Sequence, residues 1–119
     1  MATQKRSEIH MATAETVTDD LTGKEMYALT LTSAGKVRLA QSGEYVVGIC
    51  QEGKAVAKHS TYAYGGILKV VASAAITPGQ AVMAGEDGTC VPGATNSFGH
   101  CRNSVLSGEI AEIQFDRVS

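Results

Sequence analysis

Hydrophobic and polar residues alternate along much of this chain with the period of two that a half-buried strand imposes. In "MYALTLT", residues 26–32, Tyr27, Leu29 and Leu31 alternate with Ala28, Thr30 and Thr32. After "SAG" the alternation resumes in "KVRLA", where Arg38 separates Val37 from Leu39. The pair predicts a hairpin whose turn uses Gly35 for a positive backbone φ. "EYVVGICQ", 44–51, is a more continuous apolar run and suits a central strand covered on both faces. "KAVAK" and "GILKVVA" predict two further strands, joined by a tyrosine-bearing link, "HSTYAYGG". Thr77-Pro78-Gly79-Gln80 has the order of a type II turn, with proline presetting φ and glycine accepting a positive one. "QAVMA" and "TCVP" flank "GEDG" as a second hairpin. In the last strand, Ala111, Ile113 and Phe115 alternate with Glu112 and Gln114. The spacing allows at most one helical turn, around Arg102 to Leu106.

The two halves of the chain echo one another. "SAGKVRLA", "SGEYVVGIC" and "GKAVAKHS" are answered in the same order by "QAVMAGEDGTCVPGA", "TNSFGHC" and "SGEIAEIQF". Gly35 corresponds to Gly88, and the "GIC" at 48–50 to the "GHC" at 99–101. Two such half-sheets close on one another and cover edges that would otherwise invite aggregation. The expected fold is all-β, a small β-barrel or β-sandwich of two degenerate half-repeats. Residues 1–20 are polar and predict an extended N-terminal arm, poorly ordered alone. Residues 21–119 predict a single β domain. In the arm, Ile9 and Met11 are apolar at strand spacing, and Lys5-Arg6 is a small basic pair.

Composition narrows the function. The 119 residues include thirteen glycines and no tryptophan, which favours short strands and tight turns. A chain of this length buries roughly 65% of its unfolded surface and needs neither disulfide nor metal to fold. The formal net charge is −2, with no basic run beyond Lys5-Arg6, so nucleic acid is not expected as a partner. No apolar stretch approaches a membrane span, and the N-terminal residues lack the apolar core of a signal peptide, so synthesis in the cytoplasm is expected. Cys50, Cys90 and Cys101 form no CxxC pair and are expected as unpaired, functionally silent thiols. His10, His59 and His100 do not fall into metal-ligand spacing: His100 and Cys101 are strand neighbours pointing to opposite faces. His59 is the only histidine placed to serve Cys50 as a base, and nothing beyond composition supports that pairing. Neither a phosphate-binding nor a dinucleotide-binding glycine pattern is present. No metal, no cofactor and no enzymatic activity are expected. Lys36, Arg38, Glu44 and Glu52 suit a solvated face. Tyr62 and Tyr64 alternate onto one face, as a sugar-stacking platform, a barrel-end cover or a subunit boundary would require.

Residues 65–115 resemble the small capsid decoration, or cement, proteins of tailed bacteriophages. The resemblance rests on Gly66–Val71, Ala75-Ile76-Thr77, Gly79-Gln80-Ala81-Val82, Asp87-Gly88, Gly99 and Gly108-Glu109-Ile110. In the first half, "SGEYVVGICQEGKAVA" matches more loosely, and "HCRNSVLS" stands where the family has an alanine-rich connector. The resemblance implies a structural protein on the outer capsid surface of the virion. It would bind the phage major capsid protein, stabilise contacts between capsid subunits and self-associate as a homotrimer. Such proteins often anchor through terminal arms, which makes Lys5, Arg6, Ile9 and Met11, with Tyr62 and Tyr64, the expected partner contacts. Two rival readings share the composition: a carbohydrate-binding β-module using Tyr45, Tyr62 and Tyr64, and a tail or baseplate structural protein.

Overall fold

The computed structural model describes residues 10–18 and 20–116. Strands β1 (Met11–Glu15), β2 (Ala28–Leu31), β3 (Val37–Leu39), β4 (Gly48–Glu52) and β5 (His59–Ala63) form one antiparallel sheet in the order β1-β5-β4-β2-β3. Strands β6 (Gly66–Val71), β7 (Ala81–Ala84), β8 (Cys90–Pro92), β9 (Gly99–Cys101) and β10 (Ile110–Phe115) form the second, in the order β6-β10-β9-β7-β8. The two orders are identical once the numbering is shifted by one half of the chain. The repeat legible in the turns is therefore a repeat of topology.

Each sheet curls until its outer strands meet. Thr16, just past β1, bridges Val37 of β3 in parallel, and Ala72, just past β6, bridges Cys90 of β8 in the same way. The Val17 N–H donates to the Val37 carbonyl at 2.9 Å, and the Ser73 N–H to the Cys90 carbonyl at 3.0 Å. Across the first seam Lys36 Nζ also lies 3.5 Å from Glu15 Oε2. The result is two small five-stranded barrels, A and B, with little open edge left for unwanted pairing.

Alternation along the strands feeds two cores. Ala14, Leu21, Leu29, Val37, Leu39, Val47, Cys50 and Tyr62 fill barrel A. The opposite faces of its central strands, Ala28, Ile49 and Ala63, join Leu68, Val70, Val82, Cys101 and Ile113 of barrel B in a larger core. Strands β2, β4 and β5 are thus covered on both sides. This explains the continuous apolar run at 46–50, and it corrects the half-buried pattern expected for "MYALTLT": Ala28 and Thr30 are buried as well as Leu29.

Two glycines let strands cross at close range. A Cβ on Gly48 would stand 2.5 Å from both the Ala63 carbonyl oxygen and the Tyr62 ring, and one on Gly99 would overlap the Gln114 carbonyl. The two occupy equivalent places in A and B, so the echo of "GIC" by "GHC" has a steric cause.

The turn in "GEDG" proves to be the joint between halves. It forms one 3-10 turn, Glu86–Gly88, with Asp87 at φ 54° and Gly88 at φ 80°. The Gly88 N–H donates to the Ala40 carbonyl at 2.7 Å, and the Gly43 N–H to the Ala84 carbonyl at 2.9 Å. Gln41 and Asp87 exchange two further bonds, each 3.1 Å: Gln41 Nε2 to Asp87 Oδ1, and the Asp87 N–H to Gln41 Oε1.

Three expectations change. "KAVAK" is a turn, with Ala57 at φ 74°, and the strand comes next, in "HSTYA". Residues 102–106 contain no helical turn; Val105 instead bridges Ile76 through two 3.0 Å backbone bonds. Met11–Glu15, placed in the arm by its composition, pairs with β5 along its whole length, and Leu21 is fully buried. Barrel A therefore begins ten residues or so before the expected domain start at 21.

Candidate ligand and partner surface

The chemistry-bearing side chains stand apart from one another. Among the described residues no group of three His, Cys, Asp or Glu side chains converges as metal ligands would. All three cysteines are buried and free. Burial pushes the Cys50 and Cys90 thiols up to about 12, the opposite of what an attacking thiolate requires. The Cys101 thiol donates to the Asn103 carbonyl at 3.0 Å. His100 is exposed while Cys101 beside it is buried, as strand alternation demands. Arg38 and Glu44 form a two-pronged ion pair at 2.8 and 2.9 Å. Arg38 first, then the Gln41 N–H, holds the Glu44 carboxyl below its usual range. No helix among the described residues is long and apolar enough to cross a membrane.

A wide cleft of about 600 Å³ runs between the barrels, with Lys24, Tyr27, Ser73, Glu86, Asp87 and Thr89 on its walls. Its polar groups are largely committed to the joint. Lys24 Nζ lies 5.2 Å from the Tyr27 ring centre, Thr89 Oγ1 donates to Ser73 Oγ at 2.9 Å, and Asp87 holds Gln41.

A more distinctive feature is the mouth of barrel A. Ala12, Val47, Tyr62 and Tyr64 line a groove of about 240 Å³ there. Ala12 sits opposite Tyr62 in the β1–β5 register, and one step outward the Tyr64 N–H donates to the His10 carbonyl at 2.8 Å. The His10 ring stacks on Tyr64 with centres 5.7 Å apart, and Tyr62 and Tyr64 lie 6.2 Å apart. Gly65 makes room for the imidazole: a Cβ there would stand 2.9 Å from His10 Cδ2. Burial, and then the phenols of Tyr64 and Tyr45, raise the Tyr62 hydroxyl above the ordinary tyrosine value. Tyr62 and Tyr64 thus bring two phenols to one groove.

The expected partner contacts divide accordingly. Lys5, Arg6 and Ile9 lie outside the described residues. Met11 is 56% exposed on β1, and Tyr64 is 44% exposed at the rim. Tyr62 lies largely inside the barrel end, its ring against Gly48 and its edge on the groove. His10 was missed as a member of this cluster, because only the β1–β5 pairing brings it to Tyr64.

These features define the chain as a tandem β-barrel module with one aromatic mouth. The same fold occurs in the head fiber gp8.5 N base of bacteriophage phi29, known from a crystal structure. The match has a TM-score of 0.69 and covers 94% of this chain and 99% of that one, at 14% sequence identity. No protein-family model matches the chain. No curated protein matches it either.

Proposed function

We propose that this chain is a non-enzymatic structural protein of a bacteriophage head, a decoration protein that binds the outer capsid surface and stabilises contacts between major capsid subunits. The observation that carries the reading is the shared fold with a phage head fiber base across 94% of the chain. The likeness of residues 65–115 to capsid decoration proteins supports it from the sequence side. Bridging neighbouring capsid subunits adds interface, and a stable interface of ordinary size buries about 1,600 Å² in total, so many copies sum to a large stabilisation. The contact is assigned to the arm: Lys5, Arg6 and Ile9 lead directly into β1, where Met11 is exposed. A segment added as a strand to a partner's sheet edge gains hydrogen bonds and apolar contact that offset about 1–2 kcal/mol of backbone entropy per residue. A symmetric homotrimer is the assigned assembly. Mass spectrometry of separated heads and tails from the parent particle tests the placement. The protein is expected in heads, and its recovery in tails alone would assign it to the tail or baseplate instead.

A further inference from the structure

The chain carries its own control for the aromatic mouth, because barrel B repeats barrel A. In B the positions equivalent to Ala12, Val47, Tyr62 and Tyr64 are Leu68, Phe98, Ile113 and Phe115. The registers fix this correspondence: Tyr62 faces Ala12 and Cys50 in A, as Ile113 faces Leu68 and Cys101 in B. Val47 and Phe98 each precede the close-approach glycine. The four B side chains are all buried, and Phe98 and Phe115 meet with ring centres 6.0 Å apart. Barrel B is thus plugged by its own side chains.

Barrel A departs from that plug at all four positions and in two ways. Leucine gives way to Ala12 and phenylalanine to Val47, which opens the groove. Isoleucine and phenylalanine give way to Tyr62 and Tyr64, which bring hydroxyls to its wall. A mouth that was merely underfilled would need only the first pair of changes. The second pair adds groups that both donate and accept hydrogen bonds beside an exposed ring face. With His10 stacked behind Tyr64, that face is held in place.

From this we infer that the mouth of barrel A is a binding site for a single pyranose unit of a carbohydrate, stacked on Tyr64 and hydrogen-bonded by the phenols. A pyranose ring has an apolar C–H face and an equatorial belt of hydroxyls, which matches a groove built of aromatic face and phenol oxygens. The inference concerns the free protein and does not depend on capsid binding.

The test uses the full chain and its own fluorescence, which comes from four tyrosines with no tryptophan to mask them. Glucose, galactose, mannose, N-acetylglucosamine and N-acetylgalactosamine are titrated separately to high millimolar concentration. At least one is expected to give a saturable change. Tyr64→Ala is expected to weaken that binding about tenfold or more, as loss of a stacking anchor does. Val47→Phe, which copies the barrel B plug, is expected to abolish it. Circular dichroism verifies each variant's fold, and Tyr64→Ala, at an exposed rim position, remains decisive if the larger substitution disturbs the barrel. Absence of a saturable response to all five sugars overturns the inference, as does a response that folded Tyr64→Ala retains in full. Failure on either ground leaves decoration of heads unaffected.

Discussion

At the scale of single residues, burial decides what the cysteines can do. Cys50 and Cys90 look out on apolar neighbours from opposite barrels, and each thiol is pushed up to about 12. In an unfolded chain a thiol ionises near its ordinary value of about 8.5. The folded state therefore holds the proton more tightly across the window between. The resulting stabilisation is complete below the unfolded value and is lost progressively as pH rises toward about 12. The melting temperature should accordingly fall from about pH 9 upward. A Cys50→Ala, Cys90→Ala double variant should start lower, because of the cavities it leaves, yet show a shallower alkaline slope. An unchanged slope would show that these thiols titrate normally in the fold. Native protein should also resist alkylation at both positions at neutral pH and react only once unfolded, as mass spectrometry of the labelled chain would read.

At the scale of elements, β1 is the strand on which barrel A closes. It pairs with β5 on one side and, through Thr16, with β3 on the other. Thr16 Oγ1 and Ser60 Oγ share a buried 2.6 Å hydrogen bond, and Leu21 fills the interior. A chain starting at His10 should keep its urea midpoint. One starting at Thr22 should lose cooperative unfolding, because it forfeits a whole strand; truncating Leu21 alone to alanine should cost about 2–5 kcal/mol. Equal stability of the two shortened chains would contradict the closed barrel. The same strand shows where sequence reading stops. The β2–β3 and β7–β8 hairpins were legible because Gly35 and Gly88 occupy positive φ, a demand that leaves a mark in residue type. β10 was legible from its alternation. β1 was not, because "MATAE" presents Ala12 and Ala14 to the interior and small side chains give a weak apolar signal. β5 was taken for a link because Ser60 and Thr61 look solvent-facing, while Ser60 is buried against Thr16. A pairing partner forty-four residues away supplies what the local pattern lacks. The aromatic mouth was half legible: Tyr62 and Tyr64 fall on one face by spacing, but the groove and His10 depend on the β1–β5 register and on Val47 standing where the other half has Phe98.

At the scale of the whole molecule, two equivalent barrels are locked by the turn at Glu86–Gly88 and share a continuous core. The body is thus preformed, and the proposed capsid contact falls on the residues that precede and begin β1. Light scattering at micromolar concentration should report a trimer, and a stable 12.4 kDa particle would rule that assembly out. The most direct measurement is reconstitution: purified heads lacking this protein are incubated with the full chain and with the chain starting at His10, then imaged by electron cryomicroscopy. The full chain should saturate a fixed set of sites on the outer capsid surface, with added density between neighbouring capsid subunits, and the shortened chain should occupy them distinctly more weakly. Heads that stay bare at saturating concentrations of the folded full-length protein would contradict the assignment to the capsid surface.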